Sequence, residues 1–360
     1  MSDTPVTPAD VLPPPKRRHR IGLFGPIILV AVAAIGWSGY WFYIAHQVQT
    51  AIKVQQDGLI KQGYQVSSDP YSVRGYPYRM YVEFHNLTIV APSGRGASLP
   101  VLDAEANAYA LDKWVMNAPQ GMTLFRGHAN PGVAGGIDLG KLTVTGKSLR
   151  FSASHLRSAV PDIRFQGTGL TVMPSDPTHP FTFQTADLLE AYVRADATQA
   201  DSADWLVRLE GARGQAPGLV GRFSPDKPLD LHLEGTFSKI SAFKGVDFAT
   251  GLKAWKAGGV ASGFRCEIKN ADVGLMASSD ALGFGADNRL TGKMHVELSG
   301  TAAPLNLLAA AGLISEDNMT LAKPLLDMTL GIGNQKFDIE FKKGGAYIGP
   351  LKVSDAPILP

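Results

Sequence analysis

The sequence is poor in the residues on which most chemistry depends. It has one cysteine, Cys266, in 360 residues. A single thiol cannot close an internal disulfide, so the fold must hold by packing even in an oxidising compartment. Cys266 alternates with Phe264 and Ile268, the pattern of a small core side chain rather than a nucleophile. The histidines, at positions 19, 46, 85, 128, 155, 179, 232 and 295, are isolated, and none pairs with another His, Cys or carboxylate at metal-ligand spacing. No metal is expected. There is no G-x-S-x-G elbow and no phosphate loop, and "GFGADNRL" at 283–290 lacks the third glycine and the βαβ setting of a dinucleotide fingerprint, so no cofactor is expected either. Acids such as Glu234 and Glu297 fall on the polar side of alternating runs, the ordinary place for a solvated face. No catalytic residue is nominated, and an enzyme is not expected. The net charge is only +2 with no basic stripe beyond the N-terminus, which removes nucleic acid as a partner.

Charge is also missing from one long stretch. Between Arg20 and Lys53 no residue carries one, and Ile21 to Ala45 is apolar enough to cross a hydrocarbon core, which takes about 20 residues. Residues 1–20 are Pro-rich and end in "KRRHR"; Lys16, Arg17, Arg18 and Arg20 predict a cytoplasmic N-terminus, and Trp37, Tyr40, Trp41 and Tyr43 an aromatic belt at the far interface. The competing reading is a cleaved signal peptide, offered by the small residues Ala31 to Ala34. Its apolar core would be short and broken by Gly25 and Pro26, and the aromatics would have no role. The chain therefore divides into a tail (1–20), a transmembrane signal anchor (21–45), a helical stalk (46–66, stopping near Gly63) and a β-rich domain (67–360). The expected setting is a bacterial inner membrane, single-pass, with the domain in the periplasm.

What the chain has in quantity is turn residues, Gly 39 and Pro 24, set between short alternating runs. Met80, Val82 and Phe84 point one way. Leu87 and Ile89 resume out of phase, which predicts a bulge at His85 to Asn86. The same period of two recurs from Leu142 to Ile348. Helical intervals are expected at 242–256 and 303–328. The fold class is mainly β (α+β): one transmembrane helix, then a large curved antiparallel β-sheet or a β-sandwich or groove, capped by a few helices.

The stretch "RGYPYR" (Arg74, Gly75, Tyr76, Pro77, Tyr78, Arg79) introduces the first long run. Gly75 and Pro77 suit a turn from the stalk into a strand. The tyrosines and arginines also suit the headgroup level of a membrane, with rings at the interface and guanidiniums on phosphates.

With "LKAWKAGG" at 252–259 and "FDIEFKKGGAYIGPLKVSDAPILP" at the end, "RGYPYR" gives the chain a resemblance to the anchored bacterial envelope proteins of domain-of-unknown-function family 2125. The motifs are shared in order: a Gly-aromatic-Pro after an anchor, a Trp before paired glycines, and a C-terminal Gly-x-x-x-Gly-Pro strand. More distantly the design is similar to AsmA-like inner-membrane-anchored proteins. The resemblance implies a periplasmic β-rich fold and, through the distant group, an apolar groove that carries lipid; it implies no catalytic residues.

The expected function is binding or transfer of lipid or another amphipathic molecule in the envelope, with inner-membrane lipid as partner. The alternative is a non-catalytic structural or interaction subunit that docks other envelope proteins. The candidate groove lining is Met80, Val82, Phe84, Phe264, Ile268, Met294, Val296, Phe337, Ile339 and Phe341. Period-two apolar positions serve equally as plain core, and the sequence does not separate the two.

Overall fold

The computed structural model describes residues 21–128, 137–158, 160–216, 218–244, 246, 248–285, 287–300 and 335–358. The tail at 1–20 and the helical interval expected at 303–328 lie outside them. Helix α1 (Ile21–Lys61) is continuous across the expected boundary between anchor and stalk. It ends where Gly63 takes φ +86°, with Tyr64 N–H donating to Leu59 O (3.0 Å) and Gly63 N–H to Ile60 O (2.9 Å), a left-handed cap that satisfies the last carbonyls.

Beyond α1 the described chain builds one antiparallel sheet of 18 strands. Strands β1 (Gln65–Ser67) and β2 (Val73–Arg74) line one edge of β3 (Arg79–Val90), and β4 (Arg95–Asn107) pairs along its other side. The far side of β4 is shared by β5 (Ala110–Asn117) and β6 (Met122–Arg126). Next to these lie β8 (Ser148–Ser154) and β7 (Lys141–Thr145), both of which meet β9 (Asp162–Pro174). From β9 the sheet is a plain meander through β10 (Thr185–Ala195), β11 (Ser202–Ala212), β12 (Leu229–Ser238), β13 (Ala261–Lys269), β14 (Val273–Phe284) and β15 (Leu290–Gly300). It ends in β16 (Gln335–Lys342), β17 (Gly345–Ile348) and β18 (Leu351–Asp355). Two short helices cap it: α2 (Leu219–Phe223) between β11 and β12, and α3 (Phe248–Lys256), preceded by a 3₁₀ turn at Ile240–Phe243, between β12 and β13. The helical interval expected at 242–256 is thus present, split in two.

The bulge expected at His85 to Asn86 does not form. Asn86 has φ +51° and the apolar phase does slip there, but the pairs His85–Val101 and Leu87–Leu99 flank it in unbroken register. Strand β4 makes the same slip at Pro100, so both strands turn over together. There is no extra residue and no bulge.

The register carries apolar residues across the sheet in rows. One row runs Val82, Ala104, Met116, Phe151, Phe165, Ala191, Val207, Leu233, Cys266, Ala277, Val296 and Phe337, each paired with the next. The inner residues from Val82 on β3 to Val353 on β18 join one hydrophobic cluster, and both of these are wholly buried. Burial that complete on one face of a single sheet requires the face to curve over itself. The opposite face is a lattice of exposed ion pairs, such as Arg164–Glu190 (2.7 Å), Lys293–Asp338 (2.7 Å) and Lys336–Glu297 (2.9 Å). Pairs of this kind add little stability and keep the outer surface wet.

Candidate functional site

The segment "RGYPYR" binds α1 to the sheet. Trp37 Nε1–H donates to Pro77 O (2.9 Å), Trp41 Nε1–H donates to Arg79 O (3.0 Å), and the Ser38 and Tyr76 hydroxyls share a hydrogen bond (2.8 Å). The Tyr76 ring meets Trp41 edge-on at 5.6 Å and stacks on Phe42 at 6.1 Å. Trp41, Ala45, Met80 and Ala108 then close a small buried cluster of their own. Gly75 makes the turn possible: its φ is +102°, and a Cβ there would stand 2.8 Å from Arg79 O. The Tyr76–Pro77 bond is cis. Of the two arginines, Arg79 pairs with Glu105 and Arg74 donates to Ser72 Oγ (3.2 Å). Beside the latch, Tyr81 donates to Asp103 (2.7 Å), and that hydrogen bond, with burial behind it, pushes its phenol up to about 12.

This latch divides α1. From Phe24 to Ile35 the helix is bare, its large apolar side chains exposed all round, and from Trp41 to Ile52 it packs on the inner face of the sheet. Before the latch α1 rises about 24 Å from Ile21 to Gly36, and by Tyr40 the apolar helix has risen about 30 Å, the thickness of a hydrocarbon core. It is long and apolar enough to span a membrane.

The inner face is sealed at one end and open at the other. Away from the latch, Leu149, Leu170, Val172, Leu209, Leu275 and Leu298 are buried. At the helix-exit end one inner row runs Met80, Ala106, Trp114, Ala153, Ile163, Val193, Trp205 and Gly235, and beyond it on β10 to β13 lie Ala195, Ala203, Phe237 and Ala261, of which Ala203 is fully buried. In the first of these rows Met80 is covered by the latch, but Ile163 is 53% exposed and Val193 37%. Behind them Phe151, Phe165, Val207, Leu233 and Cys266 are half-buried. The half-exposed stretch is an apolar trough along β8 to β13, open at Ile163 and Val193 on the side where α1 leaves and closed beyond Trp205, whose ring stacks on Phe237 (5.1 Å) under the buried Trp255 of α3. Burial there pushes the Cys266 thiol up to about 11.

The candidate lining residues fall on both sides of this division. Val82, Ile268, Met294, Val296, Ile339 and Phe341 are buried in the main cluster, and Met80 lies under the latch. Phe264 and Phe337 are half-buried, and Phe84, also buried in the main cluster, forms part of the wall of a cleft beside α1. Around the mouth, Ile163, Phe165, Trp205 and Val207 were legible as strand positions but not as an opening, and Val193 on β10 was legible as neither. Among the described residues, no three His, Cys, Asp or Glu side chains gather as a metal ion would require.

The other two motifs are architectural. Trp255 of α3 is buried, donates to Ser238 O (2.6 Å) and packs edge-on against Phe237 and Phe284 at 5.4 and 5.8 Å. Gly259 must be glycine because a Cβ would fall inside that indole. In the last motif Gly344 (φ +74°) and Gly349 (φ +58°) make the turns on either side of β17. No curated protein and no solved structure matches the chain. Residues 41–357, which start at the latch tryptophan and take in all three motifs, match the family described as "Uncharacterized protein conserved in bacteria (DUF2125)", and the chain belongs to that family.

Proposed function

We propose that α1 anchors this protein in a bacterial inner membrane with its N-terminus in the cytoplasm and its sheet in the periplasm. In this reading the trough holds the hydrocarbon part of a lipid or another amphipathic molecule. One observation carries the reading: the open, half-exposed end of the apolar face is the end from which a helix of bilayer length departs. Apolar surface left open on a soluble face is a site for an apolar partner. The latch sets that opening next to the source of such partners. Tyr76 and Tyr78 then sit at headgroup level, where Arg74 and Arg79 reach phosphates.

The alternation of the strands supplies the test. A photo-crosslinking residue is placed at Ile163 or Val193, facing the trough, and at Arg164 or Arg194, one position along and facing out. The full chain is irradiated in cells whose lipids carry radioactive phosphate. Labelled adducts are expected at 163 and 193 and not at 164 and 194. Equal labelling on the two faces, or protein adducts in place of lipid at 163 and 193, would reject lipid binding in favour of an interaction subunit.

A further inference from the structure

A second apolar space lies outside the trough, between the stalk and the sheet. It is an open cleft of about 570 Å³, within the range of roughly 300–1,000 Å³ typical of ligand sites. Its sheet wall is Phe84, Leu87 and Ile89 of β3 with Leu111 and Trp114 of β5, and Leu156 of the β8–β9 hairpin closes one side. Its helix wall is two i, i+4 lines of α1: Val48, Ile52 and Gln56, and beside it Gln47, Ala51 and Gln55. Among the described residues that line it, none is charged.

We propose that this cleft takes one hydrocarbon chain of a bilayer lipid, as a second subsite beside the trough. The inference rests on the reading that lipid reaches this protein. Three features name the occupant. The walls are hydrocarbon apart from three glutamine amides, which hydrogen-bond neutral carbonyls and hydroxyls such as those of an ester linkage. The absence of any lining charge makes it costly to bring a charged headgroup inside, so the headgroup stays out and the chain goes in. The third is continuity with the anchor. On the Trp41 side the way from the bilayer is plugged by the packed latch, but the neighbouring line Tyr43, Gln47, Ala51 and Gln55 is exposed at every position. That line is an open gutter from the aromatic belt to the cleft, and Ala51 leaves the room in it.

The experiment uses the full chain in vesicles of phosphatidylethanolamine and phosphatidylglycerol with a trace of phosphatidylcholine carrying a diazirine on one acyl chain. After irradiation and digestion, adducts are expected on the peptides holding 47–59 and 111–114. Replacing Ala51→Leu lowers those adducts and Ala51→Trp abolishes them, while trough adducts at 163–165 and 205–207 persist. Leu is nearly as good a helix former as Ala, so the graded pair separates filling of the cleft from misfolding. Trough adducts without cleft adducts overturn this inference and leave the trough standing. Cleft adducts that survive Ala51→Trp also overturn it. Cleft adducts alone remove the trough instead, and the absence of both removes both.

Discussion

Cys266 reports the character of the trough at a single atom. Its thiol is held near pH 11 by burial, with the carboxylate of Glu267 adding to the shift, so the neutral form is favoured in the folded protein more than in the unfolded chain. The stability this provides is complete below the unfolded value, about pH 8.5, and is lost as pH rises through 11, to a limit of about 3 kcal/mol. Lysines and tyrosines titrate in the same window, so the comparison is with Cys266→Ser. Urea titrations of both proteins at pH 8 and pH 10.5 should show the wild type losing more stability between the two pH values than the variant. Equal losses would mean that water reaches the thiol and that the trough is wet at this depth.

At the scale of elements, the parts legible in the sequence were those whose pattern is local. Strands β3, β7 to β9, β11 to β13 and β15 to β17 announced themselves by period two, and the stalk by helical spacing and Gly63; β4 to β6 and β14 were not read from alternation. Nor was strand β10, "TADLLEAYVRA": Ala, Leu, Glu and Arg are good helix formers, and only pairing to β9 and β11 on both sides makes it extended. The opening of the trough was illegible for a related reason. Whether Ile163 is covered depends on what α1 and α3 reach across the sheet, and no alternation along β9 records that. The α3 cap offers a test of packing at this scale. Gly259→Ala pushes a methyl into the Trp255 indole, and overpacking of this kind costs about 1–3 kcal/mol. A lower thermal midpoint with a red-shifted tryptophan emission is expected. An unchanged midpoint would show that the cap yields and that α3 is not held by Trp255.

For the whole molecule, the consequence is that anchor and domain are not separable at the point where the apolar run ends. Expressing the chain from His46 onward removes Trp37, Trp41 and Ala45, yet Trp41 is only 4% exposed and Met80 beneath it is fully buried. Losing a buried tryptophan from such a site costs about 3–5 kcal/mol, which in a protein of this size is a fall of about 5–8 °C in thermal midpoint. A chain beginning at Gly36 omits most of the bare apolar helix but keeps both indole hydrogen bonds to the Pro77 and Arg79 carbonyls. It should therefore melt well above the chain beginning at His46, and should resist self-association better because the apolar patch around Met80 and Ala108 stays covered. The comparison bears directly on function. If the latch stabilises the domain, α1 and the sheet move as one body, and the mouth of the trough is held against the surface from which the helix emerges. If the two chains melt together, the domain folds without the latch and swings freely on its stalk. Proximity to the bilayer would then no longer explain why the apolar face opens at this end.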